Sequence, residues 1–172
     1  MLSYQHLYHG GNMADVHKHS LLVWMLQYLT QKEKPISYIE THAGRALYDL
    51  NSDEAIKTGE ATEGINRVLA ANWFSGAHPY LQVLATIRAQ HGPHSYPGSP
   101  LLAAETLRAT DKLHLAELHP QEATALEYAM SPYQARCYAQ EGLALAQSLC
   151  PASSGRSTAN GQLGYSCCGI RY

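Results

Sequence analysis

The stretch Ile36-Ser37-Tyr38-Ile39-Glu40-Thr41-His42-Ala43-Gly44 decides the fold. A short apolar, partly β-branched run leads to an acidic residue and then to a polar turn closed by glycine, the pattern of a buried strand running into a tight turn. Upstream, Pro35 stops a helix whose start is marked by Asn12 and Asp15 as N-cap residues. Its positions Leu21, Leu22, Met25, Leu26 and Leu29 recur at helical spacing. Downstream the pattern returns. Leu113-His114-Leu115-Ala116-Glu117-Leu118 reads as a second strand ending in an acid, closed by His119-Pro120, and a helix from Gln121 to about Met130 follows. A third short strand near Arg136 to Ala139 ends in Glu141-Gly142, and a last helix covers Leu143 to Leu149. This order of strands and helices predicts an α/β domain with a parallel sheet.

Two segments stand apart from that alternation. Residues from about 51 to 94 carry Ile65, Val68 and Leu69, then Tyr80, Leu81, Leu84 and Ile87, at helical spacing with no strand alternation, so a helical insertion is expected there. Pro97-Gly98-Ser99-Pro100 reads as a turn that starts a helix, with Ser99 as N-cap and Pro100 in the first helical position. The chain changes character near its end. Residues 151–172 hold two charges, Arg156 and Arg171, no acid, and a run of Ser, Gly, Ala, Thr and Asn without helical or strand periodicity. They are expected to be an atypical tail, disordered or outside the pattern of residues 1–150.

The totals bound the class. The 172 residues carry a net charge of −2, only 15% are charged and 45% are hydrophobic, enough to fill the core of one ordinary domain. Disorder, a coiled coil and a disulfide miniprotein are excluded. The longest apolar run, Leu21 to Leu29, is broken by Gln27 and preceded by His17, Lys18 and His19, so neither a membrane span nor a signal peptide is read and a cytoplasmic location is expected. Cys137, Cys150, Cys167 and Cys168 match no zinc-ribbon spacing. His6 and His9, then His17 and His19, invite a metal reading, but positions two apart on a helix point away from each other and no Cys or Asp completes a tetrahedral set. No metal site is expected.

In an open parallel sheet, ligands bind beyond the carboxyl ends of the strands. Three such ends carry polar groups: Glu40 with His42 and Gly44, Glu117, and Glu141 with Gly142. Carboxylates there accept hydrogen bonds from a ribose diol or an adenine amine and disfavour a pyrophosphate. The turn lacks both GxGxxG and GxxxxGK[ST]. A nucleoside ligand without phosphates therefore fits better than NAD or ATP, and S-adenosylmethionine is the common one.

Several motifs extend this reading. Leu2-Ser3-Tyr4-Gln5-His6, His9-Gly10-Gly11-Asn12-Met13-Ala14-Asp15-Val16, Lys18-His19, Thr41-His42-Ala43-Gly44, Thr58-Gly59-Glu60, Tyr96-Pro97-Gly98-Ser99-Pro100 and Glu117-Leu118-His119-Pro120 closely resemble the RlmJ family, collinearly from Met1 to about Cys150. The resemblance implies a Rossmann-like S-adenosylmethionine-dependent methyltransferase fold with a small helical insertion, truncated on its C-terminal side. It implies methylation of N6 of an adenine in 23S ribosomal RNA. The family's cofactor contacts fall on His19, His42, Ser99, Glu117, Glu141 and Gly142, and its RNA-associated position falls on Tyr4.

Two departures from the family pattern follow. Arg45-Ala46 stands where relatives usually have Ala-Gly, which is expected to bring a bulky cation near the methionine end of the cofactor. The family's further strand ending in Asp-Pro-Pro-Tyr, which holds the target amine and stacks on the flipped base, has no counterpart: the sequence instead runs Ser153-Ser154-Gly155-Arg156 onward. No catalytic residue is therefore assigned. Without that strand an unpaired sheet edge is expected, and the alternative to an active enzyme is an inactive remnant or a fragment that binds cofactor or RNA.

Overall fold

A computed structural model describes residues 6–149 and the backbone of residues 168–171. Helix α1 (Met13–Thr30) leads to strand β1 (Ser37–Glu40). After β2 (Leu47–Asp49) come α2 (Asp53–Thr58), a π-helical turn (Thr62–Asn66), α3 (Arg67–Ala70) and α4 (Pro79–His91). Strand β3 (Ser95–Pro97), α5 (Ser99–Thr106), β4 (Lys112–Ala116), α6 (Pro120–Met130), β5 (Ala135–Tyr138), α7 (Gly142–Leu149) and β6 (Cys168–Arg171) complete the order.

The main sheet runs β5-β4-β1-β6. Strands β5, β4 and β1 are parallel, with Tyr38 opposite Leu113 and Leu115 opposite Cys137. Side chains alternate across a strand, so Tyr38, Glu40, Leu113, Leu115, Ala135 and Cys137 share one face. That face is the core side: Tyr38, Leu113 and Leu115 join Leu26, Leu101, Leu102, Leu126 and Met130 from α1, α5 and α6 in one buried cluster. Helix α1 packs on α5 and α4, α5 on β4, and α6 on β5. Truncating a residue such as Leu102, fully buried there, would cost about 2–5 kcal/mol.

Four local features differ from the expectations. A two-stranded antiparallel ribbon, β2 with β3, brackets the helices between them; its three-residue strands are too short to show alternation. Helix α1 buries Leu22, Leu26 and Leu29 of the expected stripe together with Val16, His19 and Val23, but turns Leu21 outward along with Trp24 and Tyr28, each more than half exposed. The N-cap of α5 is Gly98, and Ser99 is the first helical residue. Finally, the tail, read as lacking strand periodicity, contributes β6, which pairs with β1 antiparallel, Ser37 opposite Arg171 and Glu40 opposite Cys168. The remainder of the tail lies outside the described residues.

Candidate functional site

Beyond the carboxyl ends of β1 and β4 lies a cleft of about 810 Å³. Its walls are built by local rules. Asn12 caps α1 by accepting the amide of Asp15, and the Asp15 carboxylate reaches back to the amide of Gly11, satisfying orphan donors at the helix start. Asp15 also accepts from His6 at 2.7 Å and from Lys18 at 3.0 Å. Burial works upward on its carboxyl, yet the His6 hydrogen bond, followed by the neighbouring His19, His6 and Lys18, outweighs it and holds the group well below the usual carboxylate range. Glu60 extends the network, accepting from His9 at 2.7 Å and from Asn12 at 3.0 Å.

His19 lies one turn further along α1, 1% exposed in the cleft wall. Its Nδ1 is 3.0 Å from the Tyr96 hydroxyl, which is 3.1 Å from that of Tyr80. Burial drives the imidazole down to about 3, so the ring is neutral near pH 7.

The turn after β1 forms the floor. Gly44 has φ +65, and a side chain there would strike the Tyr48 hydroxyl. The Gly44 amide donates to Glu117 at 2.8 Å, as does the His119 amide. Each Glu117 oxygen thus holds one backbone N–H and keeps lone-pair capacity for another donor. His42 is exposed on the same turn, its Nδ1 3.0 Å from the Thr41 hydroxyl.

Glu40, at the end of β1, is 5% exposed and lines the cleft. It accepts from the Ser99 hydroxyl and from the Tyr38 hydroxyl. With Gly98 serving as the cap, the Ser99 side chain is released from helix capping and turns to Glu40. Burial outweighs both donors and pushes Glu40 up to about 7.

His19, His42, Ser99 and Glu117 therefore meet around one cleft. Glu141 and Gly142 are not part of its lining. The Glu141 carboxylate caps α7, accepting the amides of Leu143 and Ala144 at 3.0 Å. Gly142 is pressed against the Thr41 backbone, where a Cβ would fall 2.1 Å from the carbonyl oxygen. Tyr4 lies outside the described residues. Sequence reasoning placed Glu40 among the strand-end carboxylates on the ligand side but gave it no cofactor contact, and it did not assign Asp15 or Glu122 to the cleft. Asp15 was read as a cap alone, and nothing in the sequence tied Glu122 to the turn.

Arg45, next to Gly44, makes a two-pronged ion pair with Glu122 of the cleft lining on α6, at 2.5 and 3.0 Å. This pairing ties the turn to the first turn of α6. Ala46 beside it sits at φ 66, a left-handed conformation suited to the glycine of the family pattern. Among the described residues no group of three or more His, Cys, Asp or Glu is placed to hold a metal ion, and no helix is long and apolar enough to cross a membrane.

Residues 33–159 match the family model for ribosomal RNA large subunit methyltransferase D, RlmJ. The chain belongs to the RlmJ family. It is 42% identical over 127 residues to ribosomal RNA large subunit methyltransferase J of Escherichia coli, a match covering 71% of this chain and 44% of the relative. The Haemophilus influenzae protein of the same name is 42% identical over 130 residues, with the same coverage of 71% and 44%. A crystal structure of a Legionella pneumophila protein superposes with a TM-score of 0.68 at 36% identity, covering 83% of this chain and 53% of that one. This RlmJ-family chain thus has a Rossmann-like α/β methyltransferase fold and spans less than half the length of the curated relatives it matches.

Proposed function

We infer that the chain carries the cofactor cleft of an S-adenosyl-L-methionine-dependent enzyme that methylates N6 of an adenine in 23S ribosomal RNA. The observation that carries this reading is the convergence of His19, His42, Ser99 and Glu117 on one cleft at the strand ends, in a chain of the RlmJ family.

The donor set suits the cofactor. Glu117 offers acceptor capacity to a ribose diol, and the turn from Glu40 to Gly44 has too few glycine amides to cradle a pyrophosphate. Lys18, next to Asp15 at the rim, offers a cation to a carboxylate. When bound, the cofactor supplies a methyl group on a sulfonium. The chain's own residues do the rest of the work read here: neutral His19 and the Tyr96-Tyr80 pair wall one side, Glu117 holds the floor turn through Gly44, and the Arg45–Glu122 pair anchors that turn to α6. Glu141 and Gly142 complete the proposed cofactor set by fixing the loop before α7 against Thr41. Tyr4 is assigned to the RNA, and the compartment is the cytoplasm. No catalytic residue and no metal are assigned.

Calorimetric titration with S-adenosylhomocysteine, together with transfer of a labelled methyl group to protein-free 23S ribosomal RNA, tests the reading. Saturable one-to-one binding and label in an adenine N6 position support it. Binding without transfer would restrict the function to that of a cofactor-holding fragment, and no binding would overturn it.

A further inference from the structure

Four carboxylates line the cleft, and three are held by cations or backbone amides. Asp15 has His6, Lys18 and the Gly11 amide; Glu122 has the Arg45 guanidinium; Glu117 has the amides of Gly44 and His119. Glu40 differs. Among the described residues its hydrogen-bond partners are two neutral hydroxyls, those of Ser99 and Tyr38, and it makes no ion pair. A carboxylate buried on hydroxyl donors alone is expensive to keep ionised, and a cationic ligand group nearby would relieve that cost.

Ser99 sharpens the point. A hydroxyl has one proton, and here it goes to Glu40. What Ser99 turns to the cleft is lone pairs, so that wall accepts hydrogen bonds and repels acceptors.

We propose that Glu40 is a positioning residue that acts through the Ser99 hydroxyl to make the β1–α5 wall of the cleft a receptor for the cationic end of the ligand, an ammonium or sulfonium group. The proposal rests on the function inferred above and assigns the polarity of one end of that site. The other groups facing Glu40 are Lys18 on α1, Tyr38 on β1, Tyr48 on β2 and Glu117 after β4. Lys18 is held at 3.0 Å by Asp15.

The experiment compares two probes by calorimetry: S-adenosylhomocysteine, which has the ammonium, and 5′-methylthioadenosine, which has the same nucleoside and no cation. Glu40→Gln is expected to weaken the first by about tenfold or more and the second by less than about twofold. Ser99→Ala is expected to show the same selectivity, and the double variant to be no worse than the more damaging single one, because the two act as one unit. Equal weakening of both probes, or no weakening of the first, would overturn the proposal while leaving the cofactor reading intact. Failure of the unsubstituted chain to bind either probe would overturn both. Should Glu40→Gln fail to fold, the selectivity of Ser99→Ala decides the matter alone.

Discussion

Glu40 and His19 share the cleft wall and pull the pH dependence of stability in opposite directions. Glu40 titrates at about 7 instead of its ordinary 4.5, so the folded chain holds that proton more tightly than the unfolded one. Its contribution is full below pH 4.5 and is lost as pH rises through 7. His19 titrates at about 3 instead of 6.5, so its contribution is full above 6.5 and is lost as pH falls toward 3. Between 4.5 and 6.5 the two slopes, each about 1.4 kcal/mol per pH unit, oppose each other. Glu40→Gln removes one of them. Its stability relative to the parent is expected to climb from near zero below pH 4.5 to about 3 kcal/mol above pH 7. Urea denaturation across that range checks this, and a pH-independent difference would contradict it. A second prediction concerns Ala46, fully buried at φ 66. Replacing a buried alanine by glycine ordinarily costs stability, but left-handed backbone at a non-glycine residue costs about 1–2 kcal/mol. Ala46→Gly is therefore expected to be neutral or stabilising by up to about 1 kcal/mol in the same assay.

Close backbone approaches join the elements around the cleft. Gly142, at the start of α7, touches the Thr41 carbonyl after β1 so closely that a methyl group there would force two elements apart. Gly142→Ala is expected to cost more than about 2 kcal/mol. Gly76→Ala, where nothing lies within 4 Å, should be near neutral. A thermal melt of both variants separates the packing role of Gly142 from a general loss of glycine flexibility. The elements also show what the sequence could convey. The β1 and β4 runs, the helix after Pro120 and the turn at Gly44 were readable because each rests on local patterning over several residues. The ribbon β2–β3 was not, since its strands find each other across the whole helical insertion. Ser99 was read as a cap because Ser and Pro carry that signal together; the rival acceptor, Glu40, is distant in sequence and only the fold brings it near. The Arg45–Glu122 pair was hidden for the same reason. On α1, Leu22, Leu26 and Leu29 were read correctly as buried, but Leu21 and Met25 face outward, because apolar residues surround that helix and spacing alone could not set the edge of the buried face.

For the whole molecule, the sheet order β5-β4-β1-β6 places three parallel strands beside one antiparallel strand that closes the β1 edge. An unpaired strand edge is a template for other chains. A chain ended at residue 167 is expected to self-associate in sedimentation velocity at concentrations where the 172-residue chain does not; identical profiles would show that β6 gives β1 no protection. This same pairing has a consequence in time. Strand β1 gains β4 within the first 116 residues, but its other neighbour lies about 130 positions away in sequence, and closing so large a loop is slow compared with local contacts. A chain emerging from a ribosome at about 5–20 residues per second would carry the strand that ends in Glu40 half-dressed for several seconds before its last neighbour exists. The interval of greatest exposure to misassembly would then come during synthesis, with the strand that ends in Glu40 waiting for residues 168–171 to arrive.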